Sequence, residues 1–190
     1  MRRAALPFLL LAALLSAASA RADRQMDPEL RGVLAAVIEP SACFADRYER
    51  AVWFAYMEPR LSRYVRDPGE REQILHHVHC EARRVDVPPE LVLAVMDVES
   101  RFDRYAVSSA GAVGLMQVMP FWPRELGMSN DQLVMIPENV RMGATILGYY
   151  LRKERGDYLR ALQRYNGSLG RPKYSDLVID RLLSRWRYDQ

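Results

Sequence analysis

From Pro28 almost to the end of the chain, apolar residues recur at three- and four-residue intervals, in blocks closed by proline, glycine or aspartate. This spacing sets the fold class. It gives each block one apolar stripe of an amphipathic helix and leaves little of the strict alternation that a half-buried strand requires. Residues 28–38 and 46–57 read as helices, and Pro59 reads as the start of a short successor through Val65. Asp67-Pro68-Gly69 is a turn signal. The stretch 70–84 carries Ile74, Leu75, Val78 and Ala82 on one stripe, and a further helix covers 89–100. Pro137 opens a long helix with Val140, Gly143, Ala144, Leu147, Tyr150 and Leu151 on one face. Asp157 is placed to cap the next, which carries Leu159, Leu162 and Tyr165 and ends at Asn166-Gly167. A last helix covers 174–187. Room for two or three short strands remains only between 102 and 135, so the chain reads as a mainly α fold.

With 190 residues, 49% of them hydrophobic and 27% charged, the chain has the length and apolar content of one ordinary domain, which excludes a disordered or low-complexity protein. Residues 1–22 form a secretory signal peptide: Arg2 and Arg3 precede an apolar run, and small residues at Ala18, Ala20 and Ala22 suit a peptidase. The apolar run is shorter than the roughly 20 residues of a spanning helix. No cysteine stands directly after it, so the expected product is periplasmic or secreted with no stable membrane anchor. The formal charge of +3 sits in this leader. Its removal takes away Arg2, Arg3 and Arg21 and no acid, which leaves 24 basic residues of the original 27 against 24 acidic ones. Nucleic acid is therefore not an expected partner.

Cys43 and Cys80 are the two cysteines. An even count in an exported chain favours one disulfide. Cys80 lies opposite the apolar stripe of its helix, so an N-terminal segment pinned through Cys43 is expected to cover that side. His76 and His79 share a broad side with Cys80, but no fourth ligand is evident, and neither a metal nor another cofactor is assigned.

The chemistry points to helix 89–100. Its stripe of Leu91, Val92, Val95 and Met96 continues onto Glu99, while Asp97 is expected on the far side, in water. A carboxyl beside apolar walls loses hydration and holds its proton toward neutral pH, as a general acid must. On this helix alone, a pairing of Glu99 with Arg101 or Arg104 is the better explanation, since buried acids are usually paired. Downstream, Gly111 and Gly114 permit close backbone approach, and Gln117 offers both a donor and an acceptor; these groups suit an acetamido sugar and equally suit a turn and a helix start. Phe121, Trp122 and Tyr174 are candidates for stacking on sugar faces, with packing an equal alternative.

Taken in order, Glu99-Ser100, Ser108 with Gly111-Ala112-Val113-Gly114-Leu115-Met116-Gln117, Pro137-Glu138-Asn139 with Gly143 and Tyr150-Leu151, and Tyr165-Asn166-Gly167 resemble the successive motifs of the soluble lytic transglycosylase catalytic domain, a relative of goose-type lysozyme. The resemblance runs from about Gln73 to Val178. It implies a lysozyme-like domain over 70–190 with an N-terminal helical extension over 23–69. It further implies peptidoglycan glycan strands as partner and cleavage of the β-1,4 bond between N-acetylmuramic acid and N-acetylglucosamine, leaving a 1,6-anhydro end. Glu99 would act first as acid and then as base. Ser108, Gln117, Tyr165 and Asn166 match substrate-binding positions, with Tyr165 expected to hydrogen-bond the glutamate. Arg164 stands where the family commonly has alanine, and Gly167-Ser168 where alanine often follows the asparagine. Two other readings share the fold: a muramidase that hydrolyses the same bond, and a catalytically silent glycan-binding or assembly factor. A cell-envelope secretion machine is the further partner considered.

Overall fold

Helices begin where an aspartate can meet their unpaired N–H groups. Asp46 accepts from Tyr48 and Glu49 at 2.7 and 2.9 Å, Asp67 from Glu70 at 2.7 Å, and Asp157 from Arg160 at 3.0 Å. The computed structural model describes residues 28–35, 43–125 and 129–188. Its helices are α1 (Pro28–Ala35), α2 (Arg47–Leu61), α3 (Pro68–Arg84), α4 (Pro89–Glu99), α5 (Phe121–Glu125), α6 (Ile136–Lys153), α7 (Tyr158–Tyr165) and α8 (Lys173–Arg181). A short turn, Asn130–Val134, precedes α6, and a wide turn, Leu182–Trp186, extends α8. The mainly α reading holds. The leader, and residues 36–38 of the first expected helix, lie outside the described residues.

Three local expectations change. Pro59 does not open a new helix but lies in the last turn of α2, where it removes a single backbone donor, and Arg60 Nη1 donates to the carbonyl of Tyr56 there. The strands allowed between 102 and 135 reduce, among the described residues, to isolated bridges joining Val113 to Val107 and to Val118. Asp97 is not held by water. Every residue from Leu91 to Asp97 is buried, and Asp97 is only 4% exposed. Its carboxylate accepts from Trp186 Nε1 at 3.0 Å, the Tyr64 hydroxyl at 3.2 Å and Arg185 Nη1 at 3.4 Å. The apolar stripe of α4 suggested one wet side. Instead α3, α8 and the terminal turn surround the helix, and a buried carboxylate survives there because each approaching group donates to it.

The N-terminal segment covers Cys80 as expected. Cys43 and Cys80 form a disulfide with Cα atoms 4.3 Å apart. Phe44 stacks on His79 with ring centroids 4.1 Å apart, and Trp53 Nε1 donates to the Leu75 carbonyl at 3.0 Å. Burial among these rings lowers the His79 pKa. Cys43, His76 and Cys80 bring ligand atoms within 4.8 Å of one another, but both sulfurs are committed to the disulfide.

On the opposite flank, α6 packs on α3 and α7. Its glycine at 143 is required: a Cβ there would lie 2.4 Å from Met116 Sδ and 2.6 Å from Met116 Cβ. Asn139, 1% exposed in the first turn of α6, accepts from the Met116 N–H at 2.8 Å and donates to the Val113 and Leu133 carbonyls at 2.9 and 2.8 Å. One side chain thus fastens the 113–116 segment to α6. Asn139→Ala leaves the Met116 N–H and the Leu133 carbonyl unpaired, while the Val113 carbonyl keeps its bond from the Val118 N–H, and is expected to cost on the order of 3 kcal/mol in denaturant melts. A loss below about 0.5 kcal/mol, the range of surface changes, would contradict this role.

The disulfide closes a 37-residue separation, so reduction is expected to cost about 3–4 kcal/mol while leaving the chemistry near Glu99 untouched. Thiol titration of the oxidised protein should find no free sulfhydryl, and finding two would refute the bridge.

Candidate active site

Glu99 is the last residue of α4, where the helix carbonyls disfavour a negative charge. Ser100 ends the helix. Its hydroxyl donates to the Leu115 carbonyl at 2.8 Å and accepts from the Phe102 N–H at 3.1 Å. Arg101 and Phe102 follow with φ of 52° and 65°. This left-handed pair turns the chain sharply and drives Phe102 into the core against Tyr64 and Trp186, with ring centroids 5.1 Å apart in each case. Glu99 is left half-buried at the rim. Burial raises its pKa from 4.5 to about 7, against a lowering by the hydrogen bond from Tyr174. The Tyr174 hydroxyl donates to Glu99 Oε1 at 2.6 Å.

That donor is not the one expected. Tyr165 donates instead to the Met116 carbonyl at 2.7 Å. It still lies close enough for the charge of Glu99 to help raise its pKa, after burial, which is the larger cause. Tyr174 is likewise raised well above the usual phenol range by burial and then by Glu99. Both hydroxyls therefore keep their protons and remain donors wherever Glu99 titrates. The two tyrosines divide the work that sequence gave to one: Tyr174 holds the carboxyl, and Tyr165 holds the backbone facing it. Tyr174 was read as a sugar-stacking candidate. The missed signal is its position two residues after Pro172, at the start of α8.

The segment from Ala106 to Val118 forms the facing wall. Gly114 (φ +82°) is obligatory, because a Cβ there would meet Asn139 Nδ2 at 2.3 Å and the Leu133 carbonyl at 2.4 Å. Gln117 also adopts a positive φ, 49°, and its amide donates to the Ala106 and Gly114 carbonyls, both at 3.1 Å. Among the described residues its Oε1 is left as an uncommitted acceptor. Ser108 sits further out, half-buried, its hydroxyl accepting from the Ala112 N–H at 3.0 Å. Asn166 is exposed at the C-terminus of α7, and its backbone N–H closes that helix on the Leu162 carbonyl. Glu99 is thus bonded to Tyr174, Tyr165 to the Met116 carbonyl, and Ser100, next to Glu99, to the Leu115 carbonyl. Ser108 and Asn166 are not hydrogen-bonded to Glu99. Trp122, read as a stacking candidate, is 4% exposed and belongs to the core. Beside Tyr165 lies a small cavity of about 30 Å³, lined by Gln117, Met119, Ile146 and Tyr150 among others.

Carboxylates near Glu99 in sequence are engaged elsewhere. Asp97 is enclosed behind α4, and Asp103 accepts from the Tyr105 N–H at 2.9 Å. The site therefore presents one neutral-range acid, a hydroxyl donor that holds it, and a fixed backbone wall. Arg164, the departure noted in sequence, joins Arg160 in pairing with Glu154 and stabilises the turn between α6 and α7.

The chain is similar to known proteins over part of its length. Over 48 residues the chain is 52% identical to the membrane-bound lytic murein transglycosylase C of Actinobacillus pleuropneumoniae, covering 25% of this chain and 13% of that protein. It is 51% identical over 58 residues to the protein of the same name from Glaesserella parasuis, covering 25% of this chain and 16% of that one. The chain thus spans a small part of the length of these curated relatives. Among solved structures, an inactive mutant of lytic transglycosylase Slt from Pseudomonas aeruginosa aligns with a TM-score of 0.47 and 24% identity, over 71% of this chain and 25% of that one. The 70 kDa soluble lytic transglycosylase of Escherichia coli aligns at 0.42 and 20% identity, over 70% and 19%. A family model described as the transglycosylase SLT domain matches residues 78–175. That stretch is just over half of the chain. It opens within α3 and closes one residue beyond Tyr174, and by it the chain belongs to the transglycosylase SLT domain family.

Proposed function

We propose that this protein is a peptidoglycan lytic transglycosylase, with Glu99 as its single acid and base. The observation that carries the reading is a carboxyl with a pKa of about 7, raised by burial, placed at the rim of the α4–α8 junction and held through one oxygen by Tyr174. In the first step the protonated Glu99 donates to the oxygen linking N-acetylmuramic acid to N-acetylglucosamine as the C1–O bond breaks. The acetamido group of the substrate stabilises the electron-poor C1. In the second step the Glu99 carboxylate removes the proton of the muramic acid C6 hydroxyl as O6 bonds to C1. Glu99 is thereby reprotonated, a 1,6-anhydro ring closes, and no water is consumed. A second carboxylate, which most glycosidases need as nucleophile or base, has no place in this sequence of steps.

In this reading Gln117, Ser108 and Asn166 contact the sugar, and Tyr165 fixes the wall. Residues 23–69 form the helical extension and 70–190 the catalytic unit. The signal peptide directs the chain to the periplasm or beyond. No helix among the described residues is long and apolar enough to cross a membrane. Glycan strands are the partner, in wall turnover or in opening a passage for a secretion machine.

Three outcomes check the reading. Mass spectrometry of digested wall should find anhydro-muramic ends, whereas reducing muramic ends would make the protein a hydrolase. Glu99→Gln should lower glycan cleavage by about 10²–10⁴-fold, the contribution of a positioned general acid. Unchanged cleavage would remove Glu99 from the mechanism. The pH profile gives the third. The first step needs the protonated acid, so the rate should fall as pH rises through about 7. Tyr174→Phe removes a donor that favours the charged form, so the Glu99 pKa rises and that fall moves to higher pH. A fall that stays in place, or moves to lower pH, would show that Tyr174 does not tune the acid.

A further inference from the structure

Outside the family-matched stretch 78–175, the end of α2 and the terminal turn border a half-open cavity of about 610 Å³ lined by Pro59, Arg60, Arg63, Tyr64, Ser184, Arg185 and Trp186. Its size is that of a small-molecule site. Three of its seven lining residues are arginines and none is an acid.

Of the three charges in it, only that of Arg185 has an acidic partner among the described residues. The adjacent carboxylate, Asp97, is sealed behind Tyr64 and Trp186, and its interaction with Arg185 occupies one guanidinium nitrogen at 3.4 Å. Arg185 Nη1 also donates to the Tyr64 hydroxyl at 2.5 Å, which fixes this guanidinium in the cavity wall. Arg60 is held by its own helix: its Nη1 reaches the Tyr56 carbonyl, and its guanidinium carbon lies 3.8 Å from the centre of the Tyr56 ring. Among the described residues the Arg63 side chain has no hydrogen bond or ion pair. Two guanidinium groups are therefore pre-positioned by protein contacts, and a third is free beside them. Each has unused N–H donors in a planar fork that matches carboxylate or phosphate oxygens. Like charges gathered in one cavity repel, and an entering anion relieves that repulsion while satisfying the donors.

We infer that this cavity is a binding site for a small oxyanion of two or more negative charges, with Arg60, Arg63 and Arg185 as its ligands. The shared chemistry is an oxyanion cluster held by guanidinium forks, and its source is either a polycarboxylate or a diphosphate. The site lies across α4 from Glu99 and does not depend on the catalytic reading.

The test is isothermal titration of the mature chain with citrate and, separately, with pyrophosphate at fixed ionic strength. Saturable one-site binding of at least one anion is expected, and the stronger of the two identifies the source. Arg63→Ala and Arg60→Ala should each weaken it by about tenfold or more, the value of a lost charge-assisted pair. Arg63 has no protein partner among the described residues, so its loss leaves the fold intact, as circular dichroism would verify. Arg155→Ala, an equal change of net charge in the exposed turn after α6, should change the affinity less than about twofold. Absence of saturable binding to both anions would overturn the site. So would an equal response of the Arg63→Ala and Arg155→Ala proteins, which would mean attraction to net charge alone.

Discussion

A carboxyl that cannot readily shed its proton is the constraint on which this structure turns. Glu99 terminates a helix whose preceding seven residues are all buried. The same enclosure that packs α4 withdraws water from the side chain at its end, and the terminal carbonyls oppose a negative charge there. Tyr174 works in the other direction by donating to the charged form. The balance sets the acid near neutrality, where proton donation and proton recovery are both accessible.

The rest of the molecule keeps that balance in place. On one side a relay runs from Asn139 on α6 to the Met116 N–H, and from the Met116 carbonyl to Tyr165 on α7, so the wall opposite Glu99 is clamped from two helices. Ser100 adds a third tie through Leu115. On the other side Asp97 gathers Tyr64 from beyond α2 and Trp186 from the terminal turn around the back of the same helix. A buried carboxylate with three donors costs little only while all of them stay in position. The N-terminal segment is thereby connected to α4, in addition to its attachment through the Cys43–Cys80 bridge.

Much of this was legible in the chain. The 3.6-residue spacing gave the helices and Asp157 the start of α7, since both act within a single element; the caps at Asp46 and Asp67 appear only in the structure. The disulfide followed from the even cysteine count together with the export expected from the leader, and the cover over Cys80 from the side of α3 on which it lies. Glu99 stood out because it interrupts an apolar stripe. What could not be read depends on contacts between elements. Asp97 was placed in water because its helix has a polar-looking side, and only the arrival of α8 and the terminal turn buries it. Tyr165 was given the bond that Tyr174 makes, because both lie near the acid and sequence distance does not say which hydroxyl reaches it. Trp122 stays open between a stacking ring and a core residue in the sequence, because a short proline-flanked segment gives no periodicity from which to judge its burial, and the structure decides for the core. The strands fell away for a related reason: positive φ at Gly114 and Gln117 bends the 106–118 segment into turns rather than a ladder.

The central claim concerns the protonation of one side chain, and carbon-13 NMR titration of the Glu99 carboxyl, assigned by comparison with Glu99→Gln, reads it directly. A midpoint near 7 is the result this account requires. A midpoint at the ordinary carboxyl value of 4.5 would mean that the group is solvated and ionised at neutral pH, and would contradict it.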